Sequence, residues 1–226
     1  MAEAIEDYKK YTNKKAKDFN ILTYLYQIYA LFVVFLPFFV FPFYKFQLVG
    51  DRKSLPKEPC IIAANHISYY DVFIVFWVFR KPIAYMAKKE LFNNSNWKRR
   101  YITRNILRLG AFPVNREKLE VSTIKTSKDA IKANFRLCIF PQGGIRKNKK
   151  IEDINKGFAV IAKMTKVNIV PISISGLEEY NWSIFKRPLV KISIGKEISH
   201  ELEPDEIIDN WKKQVAEMAN YELVQE

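Results

Sequence analysis

The sequence predicts an α/β fold, a mixed sheet flanked by helices, preceded by an apolar N-terminal membrane-anchoring helical segment. Three observations lead there. From about residue 50 onward, short apolar runs of strand length alternate with helical stretches. Before that, a polar leader changes abruptly into "ILTYLYQIYALFVVFLPFFVFPFYKF" (21–46), which carries no charge before Lys45. The 226 residues, 49% hydrophobic and 15% aromatic with only seven glycines, exclude a disordered or collagen-like chain. That length suits one domain plus an appendage. The compositional break divides it into 1–48, a basic N-terminus with a membrane-associated helical segment, and 49–226, the folded domain.

The leader "MAEAIEDYKKYTNKKAKDFN" (1–20) is rich in lysine. Lys9, Lys10, Lys14, Lys15 and Lys17, followed by Tyr24, Tyr26 and Tyr29, read as an interfacial anchor for an anionic leaflet. A helix needs about 20 apolar residues to cross a bilayer, and the run 21–46 is long enough on paper. Pro37 and Pro42 each remove a backbone donor, so the uninterrupted stretch is 21–36 and a re-entrant or interfacial hairpin competes with a straight span. A buried core helix followed by a strand is the third reading. No small-residue cleavage site follows, which disfavours a signal peptide.

In the folded domain "CIIAA" (60–64), "RLCIFP" (136–141) and "VNIVPISIS" (167–175) are continuous apolar runs of the kind buried strands show, and "LVKISIG" (189–195) alternates as a half-exposed strand does. Helices are expected at about 70–80, 97–109, 119–134 and 156–166. A last one starts at Pro204, a suitable first-turn proline, and runs through "NWKKQVAEMANYEL". Within "NWKRRYITRNILRLG" (96–110), Ile102, Ile106 and Leu109 share one helical face and Arg100, Arg104 and Arg108 another. This basic amphipathic helix is either a solvated surface helix with an ordinary core face or one lying against anionic headgroups or an acidic carrier.

The formal charge of +13 favours an anionic partner: nucleic acid, acidic lipid or an acidic carrier protein. Cys60 and Cys138 lie inside apolar strand-like runs and read as small buried hydrophobes in a reducing compartment. Two distant cysteines with His66 and His200 offer no zinc-ligand pair, and no metal site is expected.

Chemistry concentrates in "NHISYYD" (65–71). His66 ends a strand and Asp71 enters the following helix, so the turn can bring imidazole and carboxylate together. Such a carboxylate fixes the tautomer and leaves the other ring nitrogen basic. Ser68 would more naturally cap the helix than act as a nucleophile. A His–Asp pair without its own nucleophile suggests that the substrate supplies the hydroxyl. "GAFPVNRE" (110–117) delivers Arg116, a guanidinium fork suited to an anionic headgroup. "FPQGGIRK" (140–147) leaves a buried strand into a double-glycine loop, where Gly143 and Gly144 let backbone amides approach an anion, with Arg146 beyond. It is no nucleotide P-loop, since no Gly-Lys-Ser/Thr follows.

These segments resemble the lysophospholipid acyltransferase family, the glycerol-3-phosphate and 1-acylglycerol-3-phosphate acyltransferases, over about residues 50–200. "NHISYYD" is similar to its first motif, His-x-x-x-x-Asp after Asn65, with Ser68 at a commonly filled position. "MAKKEL" (86–91) resembles the segment that follows, "GAFPVNR" the second motif, and "FPQGG" the third, normally Phe-Pro-Glu-Gly-Thr-Arg. "IVPISI" (169–174), with Pro171 at its centre, resembles the fourth. The third departs from the pattern: Gln142 replaces Glu, Gly144 replaces Thr, and Arg146 lies one position late, behind Ile145.

The resemblance implies a glycerolipid acyltransferase-like fold, with 49–226 as the catalytic domain. It implies an enzyme of phospholipid biosynthesis that moves a fatty acyl group from acyl-CoA or acyl carrier protein to a lysophospholipid, foremost 1-acylglycerol-3-phosphate, giving phosphatidic acid. His66 would be the general base and Asp71 its orienter. Asn65, Ser68, Arg116, Gln142, Gly143, Gly144, Arg146 and Pro171 would form the substrate site. No bound cofactor is expected, and the thioester is a co-substrate. Partners would be membrane lipids and lysophospholipid, with acyl carrier protein as a further candidate, and the catalytic domain would lie on the cytoplasmic side of a membrane. The competing readings are transfer to a different lipid acceptor and a basic, non-enzymatic module for membranes or nucleic acid. Nucleic acid is disfavoured because the aromatics gather in the anchor instead of interleaving with basic residues as a stacking platform.

Overall fold

The computed structural model describes residues 7–33, 35, 43–178, 180–181 and 183–224. Residues 34 and 36–42 of the N-terminal apolar run, Pro37 and Pro42 among them, lie outside the described residues.

Strands β2 (Ile61–Ala64) and β5 (Arg136–Ile139) are buried along their whole length because both faces of the sheet are covered, and Arg136 is the one charged residue in them. They pair in parallel with Ile62 opposite Cys138, and β2 also runs parallel to β7 (Ile169–Ser175) with Ile62 opposite Val170. Alternation then sends Ile62, Ala64 and Cys138 into one core layer with Ile74, Val75 and Val78 of α2 (Asp71–Phe79). Ile61, Ala63, Leu137 and Ile139 enter the other layer. There they meet α4 (Val121–Lys132), α5 (Gly157–Thr165) and α6 (Pro204–Ala219) through Ala130, Phe158 and Trp211. Each fully buried isoleucine contributes about 1.5–3 kcal/mol.

The sheet has seven strands in the order β1-β8-β7-β2-β5-β3-β4, with β1 at Lys45–Val49, β3 at Ile83–Lys88, β4 at Ala111–Val114 and β8 at Leu189–Ile194. β8 is antiparallel to β7, and β1 is parallel to β8, so these two run against the other five and the sheet is mixed. β6 (Lys150–Ile151) and β9 (Glu222–Leu223) form a separate two-stranded ribbon. The expected strands at 60–64, 136–141, 167–175 and 189–195 and the expected helices all form, including α3 (Trp97–Arg108). β1, β3 and β4 carried no clear strand signal. β4 tolerates Pro113 because it is an edge strand, where a missing N–H costs no ladder bond.

The N-terminal segment packs into this body. α1 (Ile21–Ala30) is capped by Asn20, whose Oδ1 accepts from the amides of Leu22 (3.0 Å) and Thr23 (3.3 Å). Lys14 Nζ donates to the Ala111 carbonyl at 3.0 Å, and Thr126 Oγ1 to that of Thr12 at 2.9 Å. Residue 48, the end of the expected N-terminal unit, falls inside β1. Tyr24 and Tyr26 turn their hydroxyls to protein, onto the Arg80 carbonyl (3.0 Å) and Asn105 Oδ1 (2.5 Å). Among the described residues no helix is long and apolar enough to cross a membrane.

Candidate active site

Four parallel strands, β2, β3, β4 and β5, end at the same side of the sheet, and the residues that follow them meet there. A crevice beyond the carboxyl ends of such strands is where open α/β sheets place ligands. His66 follows β2, Lys88 closes β3, Arg116 follows β4, and Phe140 to Ile145 follow β5. His66, Lys88, Arg116, Phe140, Gly144 and Ile145 line one cleft of about 510 Å³.

His66 Nδ1 lies 2.7 Å from Asp71 Oδ2. The same oxygen accepts the backbone amides of Ile67 (2.7 Å) and Ser68 (2.8 Å), so a single carboxylate oxygen organises the whole turn. Asp71 is fully buried in the first turn of α2, where the helix dipole favours a negative charge. Burial pushes its carboxyl above the ordinary range, and the His66 imidazole and the two amides pull against that. With Nδ1–H donated to the carboxylate, Nε2 is the basic nitrogen. The ring stacks on Phe140, centroids 4.1 Å apart at 21°, and its side chain is 14% exposed. It is therefore held in place yet reachable from the cleft.

The remainder of the cleft is apolar. Val72, Phe73 and Phe76 of α2 supply one wall and Leu91, Ile106 and Leu109 another. Ile106 and Leu109 belong to the apolar face of the basic amphipathic helix. That face borders the cleft, with Ile106 also packed against the core, while Ile102 on the same face is exposed. Gln27 of α1 also reaches the cleft, its amide satisfied by the carbonyls of Ile83 (2.6 Å) and Leu109 (2.9 Å).

Of the residues expected to touch substrate, the structure brings His66, Arg116 and Gly144 to this cleft. The Arg116 Nη1 donates to the Gly143 carbonyl, tying the two loops together. Gly143 has φ +69°, the left-handed region that favours glycine, and its amide closes a turn onto the Phe140 carbonyl at 2.9 Å. That amide is thus engaged in the turn.

The others hold the scaffold. Asn65 is buried and clamps β7 through both its amide groups, donating to the Ile174 carbonyl and accepting from the Ile174 amide, each at 2.7 Å. Ser68 Oγ accepts the Tyr70 amide at 3.3 Å. Gln142 Nε2 donates to the Lys150 carbonyl at 3.1 Å, away from the cleft. Pro171 lies in β7 opposite Ala63 and accepts the Gly195 amide at 2.9 Å. Arg146 sends its backbone amide to the His66 carbonyl (2.7 Å), and its guanidinium pairs with Asp153 (3.2 Å).

Sequence reasoning did not single out Lys88 or Phe140. The quoted segments "MAKKEL" and "FPQGG" contained them, but nothing in one strand shows what another stacks against. Both cysteines are free and buried, and burial pushes the Cys60 thiol up to about 12. Among the described residues no group of three His, Cys, Asp or Glu is placed to hold a metal ion.

A family model described as Acyltransferase matches residues 45–175, which include every cleft residue named above except Gln27. A 1-acyl-sn-glycerol-3-phosphate acyltransferase of Streptococcus pneumoniae is 38% identical over 128 residues, 56% of this chain and 45% of its own length. One of Bacillus subtilis is 32% identical over 152 residues, 66% of this chain and 71% of its own. The pneumococcal match therefore spans less than half of that relative. The crystal structure of the 1-acyl-sn-glycerophosphate (LPA) acyltransferase PlsC from Thermotoga maritima shares the fold, with a TM-score of 0.59 and 18% identity over 86% of this chain and 77% of that one.

Proposed function

The chain belongs to the acyltransferase family, and from that premise we propose that it transfers a fatty acyl group from a thioester to the free hydroxyl of 1-acylglycerol-3-phosphate, giving phosphatidic acid. The observation that carries this reading is the His66–Asp71 pair, 2.7 Å apart, at the edge of an apolar cleft with no serine or cysteine among the described residues that line it.

His66 Nε2 takes the proton of the acceptor hydroxyl as its oxygen attacks the thioester carbonyl carbon. The buried Asp71 carboxylate stabilises the imidazolium that forms. When the tetrahedral intermediate collapses, the C–S bond breaks, the proton passes from His66 to the departing thiolate, and an ester remains. Val72, Phe73 and Phe76 supply the apolar wall an acyl chain needs, and each methylene removed from water contributes about 0.8 kcal/mol. Arg116 and Lys88 hold the acceptor's phosphate. The donor is acyl-CoA or acyl carrier protein.

The site is set at a membrane surface, on the cytoplasmic side. Supporting this, Leu22, Leu25, Tyr29 and Phe32 of the N-terminal helical segment are exposed, as are Trp97 and Tyr101 on α3. Arg100, Arg104 and Arg108, also exposed, supply charges for anionic headgroups.

The test is conversion of lysophosphatidic acid to phosphatidic acid in vesicles, with oleoyl-CoA and with oleoyl carrier protein. Loss of the base is expected to slow turnover by about 10²–10⁴. A His66→Ala protein as fast as wild type would end the base assignment, and no transfer from either donor would end the reading as a whole.

A further inference from the structure

The loop joining β7 to β8 lies beyond residue 175, where the family match ends, and it carries an apolar tip. Residues 184–186 form its turn, where Phe185 is 91% exposed and Ile184 53%. A single exposed apolar side chain is ordinary, but two side by side at the end of a turn keep a patch of apolar surface in water at a cost.

The stem beneath the tip is pinned. The Asn181 amide donates to Tyr44 Oη at 2.7 Å, and Asn181 Nδ2 donates to the carbonyls of Phe43 (3.2 Å) and Ser183 (2.9 Å). Arg187 Nη2 donates to the Tyr44 carbonyl at 3.3 Å, and the Lys45 amide to that of Pro188 at 3.0 Å. Phe43 and Tyr44 belong to the apolar run 21–46, so that run and the tip share one anchor point. β7 runs parallel to β2, so the loop leaves the sheet on the side where His66 follows β2.

The free charges bordering the loop are of one sign. Lys45, Lys147 and Lys186 are exposed, and none pairs with a carboxylate among the described residues. Lys147, from the loop after β5, sits over the Tyr180 ring at 4.3 Å and so joins the two loops. Among the described residues the carboxylate of this loop, Glu178, is taken up by the Tyr221 hydroxyl and the Gly176 amide. An apolar tip beside unpaired amines matches a surface that layers anionic groups over hydrocarbon.

We propose that the β7–β8 loop is a membrane contact of its own, in which Ile184 and Phe185 enter an anionic leaflet while Lys45, Lys147 and Lys186 meet lipid phosphates. The contact turns the side of the sheet that carries His66 toward the lipid. It rests on the membrane placement proposed above and adds a point of attachment separate from α1 and α3.

The experiment places a nitroxide on the full chain through Phe185→Cys, which leaves one reactive thiol because Cys60 and Cys138 are buried. Lys128→Cys, exposed on α4 in the other layer, is the control. On vesicles of phosphatidylcholine and phosphatidylglycerol, the label at position 185 should gain access to oxygen and lose access to a water-soluble nickel complex, while the control keeps its aqueous signature. Ile184→Ser/Phe185→Ser should weaken vesicle binding by about tenfold to 100-fold. Lys186→Gln should weaken it by about fivefold, and by less on phosphatidylcholine alone.

A label that stays open to nickel on vesicle-bound protein overturns the proposal, as does a double serine variant that binds as wild type does; either result leaves attachment through α1 in place. Absence of wild-type binding overturns the membrane placement and the loop contact with it. Shielding at position 185 that grows with protein concentration before vesicles are added assigns the tip to a second copy of this chain and overturns the lipid contact. Both tip side chains are exposed, so the serine variant is expected to melt as wild type does.

Discussion

Gln27 grips Ile83 from both sides: its Nε2 donates to the Ile83 carbonyl at 2.6 Å, and its Oε1 accepts the Ile83 amide at 3.2 Å. A polar residue of the N-terminal helix thus completes the backbone pairing at the start of β3, and a third bond runs to the Leu109 carbonyl at 2.9 Å. Gln27→Ala strands those buried groups, each worth about 1–3 kcal/mol when left unpaired. Urea unfolding is expected to show a loss of about 3 kcal/mol, seen as a lower midpoint at constant slope. An unchanged midpoint would mean that α1 is not part of the cooperative unit.

Asp71→Asn removes the negative charge beneath His66 and puts an amide NH2 where Oδ1 is buried without a partner among the described residues. Turnover is expected to drop about 10²–10⁴-fold. KM for the acceptor should change little, because Asp71 lies behind the imidazole and outside the cleft lining. Steady-state kinetics separates the two: a large KM change with kcat intact would make Asp71 a binding residue and not an orienter.

Lys14 is held on the Ala111 carbonyl, and burial lowers its amine from 10.5 to about 8, with Asp18 pulling the other way. A folded-state pKa below the unfolded one means that the unfolded chain binds more protons between those values, so this group's contribution rises with pH across that window. Relative to Lys14→Met, wild type should gain stability from pH 8 to about 10.5. Below pH 8 the gap should be flat. Chemical unfolding of both proteins at pH 7, 9 and 10.5 checks it, and parallel curves would show the amine to be solvated.

Leu22 and Leu25 project from α1 at 70% and 53% exposure, more than a packed helix leaves open. If they enter a leaflet, each serine substitution costs about 1.4 kcal/mol or more of transfer energy, about tenfold in partitioning. Co-sedimentation of Leu22→Ser/Leu25→Ser with vesicles containing phosphatidylglycerol should therefore fall by about 100-fold, with folding intact because neither side chain is in the core. Equal sedimentation of the double variant would show that α1 does not touch lipid.

The four strongest strands and all five helices expected in the folded domain could be located from sequence because burial on both sheet faces makes β2, β5 and β7 predominantly apolar, and because caps and prolines mark helix ends. β1, β3 and β4 escaped because their signals are weak: "KFQLV" is half exposed, and "AFPV" is four residues long and holds a proline. The His66–Asp71 pair was legible for a related reason, since five residues of chain across one turn bring the groups together without help from distant segments.

By itself the sequence determined the fold class, the strand-to-helix turn that holds the base, and the order of the loops that surround it, all of which depend on local pattern and short spacing. Only the tertiary structure decided which residues of those loops face the cleft. Gln142, Pro171 and Arg146 turn away because a backbone carbonyl, a neighbouring strand or a carboxylate claims them. Lys88, Phe140 and Ile145 turn in because β3 and β5 lie side by side. A side chain's direction is set by the partners it can satisfy, and those partners come from elements far apart in the chain.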